Sequence, residues 1–255
     1  MQVDKFSIDK LEPCIGKVKM IRVSFHSNLI DKGIECCKRV MELGYICSCN
    51  PINFSSYQNQ EIIQLIKKLN VIKPHYFSIV DTFGIMLNND FTNKIHLLNH
   101  LLSPEIKIGL HLHDNLSSSF STAQILLQEE SRFHDIIIDT SLCGLGRAPG
   151  NLKTELLMYY INTVIPNKYN MKYVYYLMEK VILPLSQTLN WSFEFAYSIS
   201  AFEKVHRTYA EYLLNKGYSL NLIENIIKEV PKHKKGRFDE EVINKICEQY
   251  SNEGD

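Results

Sequence analysis

No apolar run in this 255-residue sequence is long enough to cross a membrane. The most suggestive segment, "YVYYLMEKVILPL", is interrupted by Glu179 and Lys180, so no membrane anchor is expected. The opening "MQVDKFSIDK" lacks the apolar core of a secretory signal. An excess of charge is missing too: 28 basic residues balance 28 acidic ones. That balance removes the electrostatic case for nucleic acid or an anionic membrane as the main partner. There is no CxxC spacing, although seven cysteines are present. "CC" at 36–37 and "CSC" at 47–49 therefore read as reduced core thiols of a cytoplasmic chain, not as zinc or redox sites. Low-complexity segments and Pro/Gly-rich linkers are absent as well, and "KEVPKHKKGR" (228–237) reads as a solvated basic loop.

What is present is a repeated unit. The β-branched runs "MIRVSF" (20–25), "YICSCNPI" (45–52), "YFSIVD" (76–81), "IKIGLHLH" (106–113) and "DIIIDTSL" (135–142) start 25, 31, 30 and 29 residues apart. Between them lie helical periodicities, as in Ile30, Ile34, Cys37 and Met41, or Phe91, Ile95, Leu98 and Leu102. Ser55 and Gln58 have capping-box spacing ahead of "EIIQLIKKL". Strand–helix alternation at about thirty residues per unit predicts a parallel sheet flanked by helices. A doubly wound sheet and a (β/α)8 barrel both fit. Polar residues at the C-terminal ends of the runs, namely Asn50, Asp81, His111 with His113, and Asp139 with Thr140, favour the barrel. Beyond residue 150 two helices, a sixth run "SFEFAYSI" (192–199) and a helical remainder are expected.

Two stretches carry chemistry. In "IGLHLHDN" (108–115), His111 and His113 stand on one face of a strand end, beside Asp114 and Asn115. That placement suits a metal site, and equally a pair of polar residues bonded to backbone or water. In "DTSLCGLGRAPGN" (139–151), three glycines and a proline describe a tight loop whose backbone approaches something closely. A plain βα turn is the other explanation.

Taken together, "VDTFG" (80–84), "GLHLHDN" (109–115) and "DTSLCGLGRAPGNLKTE" (139–155) resemble a metal-dependent aldolase and lyase family. Its members include 4-hydroxy-2-oxovalerate aldolase, HMG-CoA lyase and isopropylmalate synthase. "YSISAFEKVHRTYAEYLLNKG" is similar to the tail of the aldolase branch. The resemblance implies a TIM (β/α)8-type α/β barrel with a catalytic-type domain over 1–199 and a packed helical extension over 200–255. It implies His111, His113 and Asn151 as ligands of Mn²⁺ or Mg²⁺, and Asp81, His206 and Tyr209 as catalytic residues. Without the resemblance, Asn151 reads as a helix N-cap, Asp81 as a strand-end carboxylate bonded to backbone amides, and His206 and Tyr209 as packing. The implied reaction cleaves a 4-hydroxy-2-oxo acid to pyruvate and an aldehyde through a metal-bound enolate.

The sequence departs from the family in one large respect. The D-x-T-L-R-D-G motif that opens the family's first strand, with its metal carboxylate and arginine, is not found here, and Arg22, Arg39, Arg132, Arg147, Arg207 and Arg237 have other neighbours. Matched by order, "MIRVSF" is the third strand. The expectation is therefore an incomplete barrel of about six parallel strands lacking its first two βα units. Such a chain needs a second copy or a partner chain to cover its open edge. The alternative function is a non-catalytic remnant that serves binding or assembly. A zinc hydrolase is disfavoured, because amidohydrolase barrels place HxH on the first strand and the lactamase pattern needs a different HxHxD arrangement.

Overall fold

The computed structural model describes residues 1–14, 16–129, 136–147, 149–186, 188 and 194–251. The chain divides into two compact units. One comprises residues 1–82, 86–112 and 120–140, and the other comprises 83–85, 113–119 and 141–255.

The first unit is built on five strands: β1 (Met20–Phe25), β2 (Ile46–Pro51), β3 (Tyr76–Asp81), β4 (Lys107–Leu112) and β5 (Ile136–Asp139). All neighbours pair in parallel, in the order β1-β2-β3-β4-β5. A doubly wound sheet reverses its strand order at a switch point, whereas a barrel adds each strand beside the last. The observed order is the barrel's. Helices α1 (Ile30–Glu42), α2 (Asn59–Ile72), α3 (Asn88–Leu101) and α4 (Ser119–Glu129) connect successive strands.

The two faces of the sheet differ. Val23, Phe25, Cys47, Cys49, Phe77, Ile79, Ile108 and Leu110 are buried and alternate with the polar positions Arg22, Ser24, Ser48, Asn50, Ser78 and His111. The apolar set is the core side, where Gly33 of α1 lies so close to the Phe25 ring that a β-carbon would collide with it. On the polar side Ser48 Oγ donates to Asn50 Oδ1 at 2.7 Å and lies 3.3 Å from Ser78 Oγ. Gly109 completes this layer, because a β-carbon there would clash with Ser78 Oγ. Cysteine placement follows the expectation: Cys36, Cys37, Cys47 and Cys49 are buried, and burial pushes the Cys36 thiol up to about 11. A thiol held that high is not a nucleophile at neutral pH.

Two expectations need correction. "SFEFAYSI" is not a sixth strand: from Phe195 onward it is helix α8, and its first two residues lie outside the described ones. Its alternating Phe195, Tyr197 and Ile199 mimic a strand because the helix is buried from Ala196 to Ala201, all the way round. The cap of α2 is Gln58, three residues beyond Ser55, whose backbone amide donates to Glu61 Oε2 at 2.8 Å. Gln2 forms a parallel bridge with Ser24, and Val3 N donates to Ser24 O at 3.1 Å, so the outer edge of β1 is partly covered by extended chain.

The second unit contains α5 (Thr154–Val164), α6 (Met171–Leu177), a π-turn (Met178–Ile182) running into α7 (Leu183–Ser186), and α8 (Phe195–Phe202), α9 (Thr208–Asn215), α10 (Leu220–Lys228) and α11 (Glu240–Ser251). The π-turn ends two residues before Pro184, which has no N–H to offer the carbonyl four residues earlier. Helices α8 to α11 close around Ala196, Val205, Tyr209, Leu213, Ile226 and Ile243. No described helix is long and apolar enough to cross a membrane.

Candidate functional site

The polar face of the five-stranded sheet carries a three-residue constellation drawn from β1, β4 and β5. Arg22 Nη1 and Nη2 grip Asp139 Oδ2 and Oδ1 at 2.5 and 2.6 Å, and His111 Nδ1 lies 3.1 Å from Asp139 Oδ2. In a flat sheet β1 and β5 would stand four spacings apart, roughly 19 Å. An arginine and an aspartate side chain together reach only about half as far. The bidentate pair therefore requires the sheet to curl, with the polar face on its concave side. The ion pair spans 117 residues of sequence.

The electrostatics of Asp139 follow from its neighbours. Burial alone would raise its carboxyl. The hydrogen bonds from His111 and Arg22, with their charges, outweigh that effect and hold it below the usual carboxylate range. A carboxyl depressed in the folded state stabilises the fold above its unfolded pKa of about 3.9 and loses that contribution as pH falls through the folded value. Replacing Arg22 by Met removes its hydrogen bonds and charge, leaving His111 alone to oppose burial. The expected result is an acid-unfolding midpoint displaced to higher pH, read by circular dichroism between about pH 2 and 5. An unchanged midpoint would mean that the pair adds nothing to stability in acid.

In the second unit the glycine loop closes on Asn151. Asn151 N donates to Gly144 O at 3.0 Å, and its Nδ2 reaches Leu145 O at 3.0 Å and Ser141 Oγ at 3.4 Å. A β-carbon on Gly146 would strike that amide, and Gly150 sits at φ +112°. The close approach expected of this loop is thus to its own asparagine. His113 forms an antiparallel bridge with Asn151, and Asp114 N donates to Gly150 O at 3.1 Å. Asn151 is not the cap of α5, a position held by Lys153.

Each of the remaining expected residues has structural partners of its own. Asp81, 2% exposed, accepts from Met86 N at 2.9 Å and ties down the turn after β3, in line with its reading as a carboxylate bonded to backbone. The His206 ring meets Phe83 edge-on at 5.8 Å, and its Nδ1 accepts from Thr208 N at 3.3 Å. Tyr209 is fully buried. Its hydroxyl lies 3.1 Å from both Lys234 O and Arg237 O and accepts from Asp239 N at 3.0 Å.

The structure also supplies two site residues that the sequence did not single out. Arg22 lacks the family's motif, and Asp139 reads from the sequence only as a polar strand end. The available signal was a charged residue inside an apolar strand, in phase with the polar positions of "MIRVSF". Among the described residues, no three His, Cys, Asp or Glu side chains converge as a ligand set for a metal ion. Asp139, the carboxylate beside His111, has both oxygens engaged by Arg22. The described His, Cys, Asp and Glu side chains alone therefore do not assemble a ligand set for Mn²⁺ or Mg²⁺.

A parallel sheet wound in barrel order, with its polar residues on the concave face, is the scaffold of a TIM-barrel-type α/β protein. The family model described as HMGL-like matches residues 18–181, and the chain belongs to that family. It is 25% identical over 171 residues to 4-hydroxy-2-oxovalerate aldolase of Geobacillus thermodenitrificans, covering 67% of this chain and 48% of that protein. The chain thus spans about half the length of this curated relative. Two solved structures share the fold. One is the N-terminal domain of an aldolase candidate from Bacteroides vulgatus, with TM-score 0.78, 23% identity, and 88% of this chain matched to 74% of that one. The other is hydroxymethylglutaryl-CoA lyase of Pseudomonas aeruginosa, with TM-score 0.57, 15% identity and coverage of 78% and 68%.

Proposed function

We propose that this chain is a carbon–carbon lyase of the aldolase type, cleaving a 4-hydroxy-2-oxo acid to pyruvate and an aldehyde. The observation that carries this reading is the family match over residues 18–181, which includes both the His111–His113 stretch and the glycine loop. The geometry around His111 supports it. The reaction removes the 4-hydroxyl proton, breaks the C3–C4 bond to release the aldehyde, and leaves a pyruvate enolate that takes a proton at C3. A base and a fixed positive charge are what such a step needs. On the concave face, His111 is a residue able to take a proton, and Arg22, about half exposed, is a cation.

The test is direct. Pyruvate release from 4-hydroxy-2-oxopentanoate is followed with a lactate dehydrogenase couple, in chelator and with added Mn²⁺ or Mg²⁺. The expected result is turnover that His111→Ala lowers by about 10²–10⁴-fold. No pyruvate under any of these conditions would overturn the lyase reading. Turnover that needs added ion would mean that donors beyond the described residues complete a metal site.

A second reading, assembly with another chain, is favoured by the surface of α5 to α7. Tyr159, Tyr173 and Tyr176 are 61%, 71% and 61% exposed, and Val164, Leu177, Val181 and Leu183 are exposed beside them in sequence. Apolar surface on this scale marks interaction sites. Sedimentation should show self-association or co-purifying partner, reduced in Tyr173→Glu with Tyr176→Glu. A strictly monomeric wild type with no partner bound would remove this reading.

A further inference from the structure

We propose that Asp139, clamped by Arg22, is the positioning residue of His111, fixing its neutral imidazole as the Nδ1–H tautomer with the lone pair on Nε2. The inference deepens the lyase reading only in assigning His111 a role, and its test uses no substrate. Three observations carry it. The first is contact: His111 Nδ1 lies 3.1 Å from Asp139 Oδ2. The second is the chemical nature of the partner. An ionised carboxylate only accepts, so the nitrogen facing it must carry the proton, and in a neutral ring the other nitrogen must then be the acceptor. The third is rigidity. Asp139 cannot rotate away without surrendering two charge-assisted bonds to a planar guanidinium, one to each of its oxygens. Arg22 fixes the carboxylate, and the carboxylate fixes the ring.

The arrangement also joins three strands. His111 and Asp139 are register partners on β4 and β5, while Arg22 comes from β1. Two adjacent strands set the distance of the histidine from the carboxylate, and the curl of the sheet sets the arginine. A ring oriented this way has one defined acceptor nitrogen, in the manner of a histidine backed by a carboxylate.

Histidine-selective ¹⁵N labelling of the whole chain tests the assignment, with the His111 resonance identified by its absence in His111→Gln. At a pH where the ring is neutral, wild type should show a protonated Nδ1 and an unprotonated Nε2. Asp139→Ala should lose that single-tautomer signature, both nitrogens moving toward averaged positions. Asp139→Asn, whose amide oxygen still accepts, should retain it. An Nε2–H tautomer in wild type, or an unchanged spectrum in Asp139→Ala, would overturn the proposal. Should Asp139→Ala fail to fold, the wild-type and Asp139→Asn spectra still decide, because an Nε2–H ring in either contradicts it.

Discussion

Tyr209→Ala is expected to lower the stability of the fold by about 3–5 kcal/mol, the cost of emptying a fully buried aromatic site. Among the described residues of the second unit, Tyr209 is the largest fully buried side chain, packed against the edge of Phe238 with ring centroids 5.0 Å apart. Its hydroxyl gathers the turn at 234–239, facing Lys234 O and Arg237 O and receiving Asp239 N. Tyr209→Phe keeps the packing and strands those backbone groups, so a smaller loss of about 1–3 kcal/mol is expected. Urea denaturation of the two variants separates the contributions. If Tyr209→Phe keeps full stability but loses lyase turnover per folded molecule, the residue acts chemically and its part in the core is secondary.

A loss of similar size, about 3–5 kcal/mol, is expected for Phe77→Ala in the first unit. Phe77 points to the apolar side of β3, is fully buried, and meets Phe54 edge-on at 5.3 Å, with Tyr57 tilted against Phe54 at 5.4 Å. The same stack covers the stem of Lys94, whose ammonium donates to Tyr57 O at 2.7 Å. Removing the Phe77 ring leaves a cavity bounded by a β-strand on one side, which cannot collapse without breaking its pairing. Total stabilities of domains this size are about 5–15 kcal/mol, so much of the margin is spent. Thermal melts followed by circular dichroism should show a markedly lower transition for Phe77→Ala. A change under about 1 kcal/mol would mean that the helices can close the gap.

The winding of the sheet was legible in the sequence, because runs such as "MIRVSF" and "YFSIVD" recur at nearly constant spacing with amphipathic helices between them. What failed at "SFEFAYSI" was period. A helix buried on every side has no polar stripe, and four apolar or small residues at alternate positions then look like a strand. The cap at Ser55 failed on register, since two polar residues three apart also occur one step later as Gln58 and Glu61. Within the site, only the family resemblance, which implies both as metal ligands, sets His113 and Asn151 together, and the structure bridges their backbones. The pairing of Arg22 with Asp139 was not legible, because no local pattern encodes a contact that exists only once four successive strand pairings have bent the sheet.

That dependence orders events in time. Each strand pair along the sheet joins segments about thirty residues apart, a modest loop to close, and can form without reference to the others. The arginine–aspartate chord has nothing to grip until β1 and β5 are both in place, so it belongs to the last stage of assembly. An interaction made after the folding barrier is crossed does not speed the crossing and acts only on the return journey. The chord is a latch on the finished sheet, slowing its opening while leaving the rate of its formation to the strands.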